Sequence, residues 1–441
     1  MTAPERLTVR GPEDILGFIP HSLGYWPDSS LVAMTLHGTT LGATLRLDLP
    51  GPDGLADPSA FACAVRRYLE SDREADGALL AVFTSDADMG PPSPYDLLVS
   101  VVESVLDQAG MPVRDAWYVG DAYWRDAWCT DASCCPPQGR PVQAIRDSTL
   151  NTEMVYRGSS VGPAPRANSR PAAAVPAMHL AAVREAQARW EQVLAGRSRN
   201  RAQFNAVLDF WLMLLTGATD QAWTADVERD AFLRATLLVP AWRDAVMVMA
   251  AAGRQAALSG AEQFGIFVHG DAETGNAPAV VPPLLPAKRP GRRLPAEQGW
   301  SKAMRKSAPG AANGVPGAGA VSSRAPAGYG EVLMGAAPDV PDWVALGALD
   351  RTLGELAVFG GPAAAAALTL RGWVAWCRGR GSYAAAYLGG ALELEPGCRL
   401  AELLLELVGR GTLCGWAARK DSAWQKFQAG PAGAAGEEEV F

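Results

Sequence analysis

The sequence predicts an α/β sandwich domain followed by an all-α region that carries a tetratricopeptide-like hairpin. Three observations point there. Over residues 1–162, short β-rich or continuously apolar runs alternate with helix-capping signals and amphipathic stripes. From residue 176 the apolar spacing becomes helical. Beyond a Pro/Gly-rich segment at 276–330, helical spacing returns and runs to residue 428.

The first domain is read element by element. Leu31–Leu36 and Ala43–Leu49 are β-rich runs separated by a Gly/Thr turn, the pattern of a hairpin. Asp57-Pro58 supplies a cap and then proline at the first helical position, and the helix behind it puts Phe61, Val65, Tyr68 and Leu69 on one face. Ala78–Phe83 is continuously apolar, as a strand covered on both faces must be. Ser93-Pro94 repeats the start signal ahead of the stripe Leu98, Val101, Val102, Val105 and Leu106. Aromatic-rich strands are expected at Ala116–Val119 and Ala122–Trp128.

In the second unit, 176–270, Val183, Trp190 and Leu194 share a face, as do Leu208, Trp211, Leu212 and Leu215. Further helices are expected around 224–236, 241–252 and 256–268. Residues 276–330 hold nine prolines, eight glycines and eight Lys/Arg against the single acid Glu297. Such a segment buries too little apolar surface to offset its ordering entropy, so it is expected to be a disordered basic linker. Its charge of +7 leaves about −15 on the remainder, which makes it the one segment suited to an acidic partner or nucleic acid. In 331–428, counting back from Pro396 places Ala391, Leu388, Ala384 and Gly372 where a tetratricopeptide repeat sets its small and large packing residues. Arg371 and Ala375 depart from that pattern. Pro362 lies 34 residues before Pro396, a faint second half-copy. The end, 429–441, reads as a disordered acidic tail with Glu437, Glu438 and Glu439.

Composition narrows the function classes. A net charge of −8 argues against nucleic-acid binding by the whole molecule. The opening segment has no apolar core of a secretory signal, and the most apolar stretches are interrupted by Asp209 and Arg371, so no membrane span is expected. Seven cysteines, an odd and scattered count, do not form a secreted disulfide framework. A cytoplasmic location is the expectation.

Cys129, Cys134 and Cys135 are the candidate metal ligands, since thiolates suit zinc. Their Cys-x4-Cys-Cys spacing lacks the paired knuckles of structural zinc sites, and the following Pro136 and Gly139 are turn chemistry. A zinc site, a redox-active thiol pair and a packed structural turn all remain open, and no cofactor other than zinc is expected. Asp28, Ser29 and Ser30 form either a polar loop at the mouth of a site or a turn before the strand. Arg46 and Asp48 share a strand face and either pair with each other or point into a pocket, and Arg140 completes the binding candidates. Gly158-Ser159-Ser160-Val161-Gly162 matches a hydrolase nucleophile elbow, but Pro163 and Pro165 forbid the helix that mechanism needs. His21, His37, His179 and His269 fall in no zinc-hydrolase motif, and no phosphate loop or dinucleotide fingerprint occurs.

Two dense blocks carry a resemblance: Phe18-Ile-Pro-His-Ser-Leu-Gly-Tyr-Trp-Pro-Asp-Ser-Ser-Leu-Val32 and Cys134-Cys-Pro-Pro-Gln-Gly-Arg-Pro-Val142. With Ser169-Arg170 and the Gly372–Pro396 hairpin, they resemble an uncharacterised actinobacterial family, a domain of unknown function. The resemblance implies no activity, substrate or cofactor. The expected function is a non-catalytic binding scaffold, with a small-molecule ligand on the α/β unit and a protein or peptide partner on the helices. The competing reading is an enzyme acting on a small polar substrate near the Asp28–Asp48 loops, with the Cys129, Cys134 and Cys135 block as its structural support or its metal site.

Overall fold

The computed structural model describes residues 9–136, 138–165, 175–217, 223–267, 278–284, 328–419 and 421–424. The acidic tail, Ser169-Arg170, His269 and all of the basic segment except 278–284 and 328–330 lie outside these residues.

The first unit runs α1 (Pro12–Leu23), β1 (Ser30–His37), β2 (Thr40–Asp48), α2 (Pro52–Ala56), α3 (Ser59–Leu69), β3 (Gly77–Phe83), α4 (Asp96–Gln108), β4 (Val113–Val119), β5 (Tyr123–Asp126), β6 (Arg140–Pro141), α5 (Gln143–Arg146) and α6 (Thr149–Tyr156). The six strands form one mixed sheet in the order β2-β1-β3-β4-β5-β6. Only β3 and β4 pair in parallel, because α4 supplies the crossover that a parallel pair requires. Every residue of β3 is buried, as its unbroken apolar run demands.

The sheet is covered on both faces, and side-chain alternation decides which residue meets which layer. Leu31 and Ala33 of β1, with Leu80 and Val82 of β3, pack under α3 and α4. Val32, Met34, Leu79, Ala81 and Phe83 face the other way, onto Leu16 and Ile19 of α1 and Ile145 of α5. Helix α1 was not legible as an element. It begins at Pro12 after Gly11, buries Asp14 and His21 along with its apolar face, and ends on Gly24 at φ 90°, a left-handed cap that glycine adopts without strain.

The rest is helical: α7 (Ala177–Leu194), α8 (Arg201–Leu215), α9 (Val227–Leu237), α10 (Pro240–Ala252), α11 (Arg254–Gln263), α12 (Tyr329–Leu333), α13 (Trp343–Ala357), α14 (Gly361–Cys377), α15 (Gly381–Leu394) and α16 (Arg399–Gly409). The helices on either side of the basic segment share one apolar core, running from Leu194 through Trp242 to Trp416. Parts of the basic segment join it. Val280 packs on this core while its amide donates to Gln203 Oε1 (2.8 Å), and buried Tyr329 donates its hydroxyl to the Ala257 carbonyl (2.8 Å). Apolar contact and a satisfied amide are what hold these residues in place.

Helix α14 is buried along nearly its whole length and forms a hairpin with α15. A Cβ on Gly372 would stand 2.6 Å from Leu388 Cγ, so the glycine is what allows the two helices to approach this closely. Arg371 is used across the bundle: its Nε donates to Asp350 (2.9 Å) and its Nη2 to the Tyr387 hydroxyl (3.0 Å). The sheet unit meets the helices where Tyr25 packs edge-on against Tyr383, with ring centroids 5.6 Å apart. Among the described residues no single helix is long and apolar enough to cross a membrane, and the apolar residues of α9 and α10 belong to the buried core.

Candidate functional site

The sheet ends weakly on the β5–β6 side, because β6 is two residues long. Tyr118 of β4 and Arg125 of β5 are direct cross-strand partners and therefore project from the same face. Helix α4 covers that face incompletely, and a cavity of about 320 Å³ opens between them, walled by Asp96, Val99, Glu103, Tyr118, Arg125 and Trp128. Asp96 Oδ1 accepts the Tyr118 hydroxyl proton (2.7 Å) while its Oδ2 accepts from the Ser93 amide (2.9 Å). Burial raises the Tyr118 pKa and the Asp96 carboxylate raises it further, so this phenol stays protonated.

Arg125 is 8% exposed. Its Nη2 donates to the Cys129 carbonyl (3.3 Å), and among the described residues no carboxylate is ion-paired with it. Glu103, on the α4 wall of the same cavity, has no polar partner among the described residues. Burying a charge without a counterion is costly, so the unpaired guanidinium is the site's most conspicuous feature.

The wall continues into the cysteine loop. Asp126 Oδ1 ends β5 by accepting from the amides of Trp128 and Cys129 (both 2.8 Å). The Asp131 carbonyl then accepts from the amides of Cys134 (3.1 Å) and Cys135 (2.7 Å). These turns fold Cys129, Cys134 and Cys135 together, with all three sulfurs within 4.8 Å of one another. Arg140 closes the loop: Nε donates to the Cys134 carbonyl (3.0 Å), Nη2 to its sulfur (3.3 Å) and Nη1 to Glu13 (3.2 Å). Burial pushes the Cys135 thiol up, and the neighbouring thiols add to it.

The other candidates gather elsewhere, at the ends of β1 and β2. Arg46 Nε donates to Ser30 Oγ (2.8 Å), and its Nη2 lies 2.6 Å from Asp48 and 3.3 Å from the Asp28 carbonyl. Ser30 donates to that same carbonyl, and Ser29 takes a positive φ of 44°. The Nε and Nη2 donors of Arg46 are thus engaged by its neighbours, which is the arrangement of a latch between the hairpin and the loop before it. A second polar cluster lies between α1 and α6. Buried His21 donates from Nε2 to Asn151 Oδ1 (2.8 Å), because Asn151 Nδ2 is given to the Arg146 carbonyl (2.6 Å), and its Nδ1 is hydrogen-bonded to Ser159 Oγ (2.9 Å). With His21 and Ser159 both inaccessible, this chain of bonds ties α1 to α6. Among the described residues 161–165 no helix follows Ser160, in keeping with Pro163 and Pro165.

The model of the family described as "Domain of unknown function (DUF4192)" matches residues 12–261 and 352–412. The chain belongs to this family. In this DUF4192 protein the match takes in the Arg125 cavity, the thiol loop and the α14–α15 hairpin, and passes over residues 262–351. No curated protein and no solved structure matches the chain.

Neither Arg125 nor Glu103 was singled out from sequence. The one available signal was an arginine centred in the aromatic run Tyr123–Trp128, where alternation puts it on the same side as Tyr123 and Ala127, which pack with the α3–α4 layer.

Proposed function

We propose that this DUF4192 protein is a non-catalytic binding protein whose α/β unit takes a small amphoteric molecule in the cavity between α4 and the β4–β5 pair. The observation that carries the reading is Arg125, a nearly inaccessible cation with no carboxylate partner among the described residues, facing a cavity that also presents Glu103. An anionic group on the ligand would neutralise Arg125, and an amine or other donor would satisfy Glu103. The volume of about 320 Å³ lies at the small end of ligand sites, fitting a metabolite-sized occupant and not a peptide. The α14–α16 helices, read as tetratricopeptide-like, would carry the protein-partner side of the scaffold, with Gly372 against Leu388 as the contact that supports that reading.

An enzyme at the Asp28–Asp48 loops has less support, because Arg46 there already has its partners. The proposal is tested by thermal-shift screening of small carboxylates, phosphates and amino acids against the wild-type chain and Arg125→Met. Compounds that raise the wild-type midpoint by several degrees should leave the variant unmoved. Equal shifts in both proteins, or no shift with any amphoteric anion, would remove the reading.

A further inference from the structure

We infer that Cys129, Cys134 and Cys135 form a zinc(II) site with three thiolate ligands and a fourth position open on the exposed side of the loop. The site needs no ligand at Arg125 and stands apart from the cavity reading.

The sulfur geometry suits the ion. Three thiolates around a tetrahedral ion with Zn–S bonds of about 2.3 Å have sulfurs about 3.8 Å apart. The three sulfurs here already lie within 4.8 Å of one another, so zinc needs only a small contraction of the loop. Two of the ligands are adjacent in sequence, which ordinarily points their side chains apart. Here the Asp131 carbonyl accepts both the Cys134 and the Cys135 amide, and this turn brings the two sulfurs to the same side as Cys129.

The local charge suits it as well. Three thiols lose three protons to bind one zinc ion, leaving a centre of charge −1. Arg140 supplies one positive charge at that point, with Nη2 3.3 Å from the Cys134 sulfur and the guanidinium held over the Trp124 ring at 5.2 Å. An outer partner that donates to a metal-bound sulfur is a usual part of such sites. A monovalent ion would leave −2 beside a single guanidinium, so the divalent ion is the better match.

Asp126 fixes the start of the loop through the Trp128 and Cys129 amides, while Arg140 lies at its far end in β6. Zinc would clip these two ends together and complete the short side of the sheet. Among the described residues no carboxylate or imidazole joins the three sulfurs, so the fourth ligand is water or another small donor.

The test uses the full chain, purified metal-free under reducing, anaerobic conditions and titrated with zinc(II) against a chromophoric chelator, with cobalt(II) as the spectroscopic probe. We expect one zinc per chain, release of three protons on binding, and a thiolate-to-cobalt charge-transfer band. Cys134→Ser, at an exposed position, should abolish stoichiometric binding with the circular dichroism unchanged. Arg140→Met should weaken binding about 10- to 100-fold. Cys63→Ser, exposed on α3, should bind as the wild type does. Should Cys134→Ser misfold, Cys129→Ser supplies the same readout. Absence of stoichiometric zinc, binding indifferent to both cysteine variants, or a disulfide among the three thiols in protein kept reduced throughout would overturn the assignment.

Discussion

Replacing Arg234 by Met should destabilise the helical unit by about 3 kcal/mol, and the sign of that change is not obvious in advance. Arg234 is 1% exposed, and burial pushes its pKa down to about 10 from 12.5, with the charge of Arg184 adding to the effect. At 1.36 kcal/mol per pKa unit, keeping this cation charged inside costs roughly 3 kcal/mol, which an uncharged side chain of similar length would recover. Against that gain stand three short hydrogen bonds, each 2.6 Å: Nε to Gln187 Oε1, Nη1 to the Leu356 carbonyl and Nη2 to the Gly360 carbonyl. They join α7 to α9 and to the turn between α13 and α14. Methionine leaves all three acceptors without this donor, at about 2 kcal/mol apiece, so a loss of about 6 kcal/mol outweighs the gain. Arg234→Lys keeps the charge, but one ammonium lacks the planar fork that serves three directions, so it should also lose stability. The assay is urea unfolding followed by tryptophan fluorescence and circular dichroism. A midpoint for Arg234→Met equal to or above the wild type would show that the desolvation cost dominates and that the junction does not depend on this residue.

Two further outcomes follow from single contacts. Gly372→Ala introduces a better helix former yet should lower the urea midpoint, because its Cβ meets Leu388 at 2.6 and 2.7 Å and overpacking of this kind costs about 1–3 kcal/mol. The loss should shrink in the Leu388→Ala background, and additive losses would refute the contact. Burial raises the Asp72 pKa, but hydrogen bonds from Thr35, His37 and the Ala43 amide, with the charge of His37, more than offset it and leave the value below the ordinary 3.8. A carboxyl lowered on folding contributes stability that is complete above its unfolded value and is lost as pH falls through the folded one. Asp72→Asn should therefore flatten the fall in urea midpoint below about pH 4, and an unchanged pH profile would exclude the contribution.

The elements that could be read from sequence are those whose cause is local. Ala78–Phe83 is apolar because both faces are covered, and Gly372, Ala384 and Leu388 meet because helical spacing alone brings them onto facing sides of a hairpin. Helix α1 escaped notice because Pro20 and Gly17 weaken its local signal, and because its buried polar residues find partners far along the chain. Asp14 accepts from the Leu150 amide (3.0 Å), and His21 reaches Asn151 and Ser159. The same physics hid the cavity. Arg125 becomes unusual only when Tyr118 and α4 enclose it, which no window of sequence contains. The thiols were noticed by composition, but their convergence depends on the Asp126 and Asp131 turns. The one core shared by helices before and after the basic segment rests on contacts spanning more than a hundred residues, such as Arg234 to Leu356.

The measurement that bears most directly on the account is peptide-resolved hydrogen exchange on the full chain, with and without the strongest stabilising anion from the thermal-shift screen. Slowed exchange concentrated in residues 89–103 and 118–128, the α4 and β4–β5 walls around Arg125, is the expected result. Protection centred instead on the Asp28–Asp48 loops or on α14–α16, with the cavity segments unchanged, would contradict it and move the binding site there.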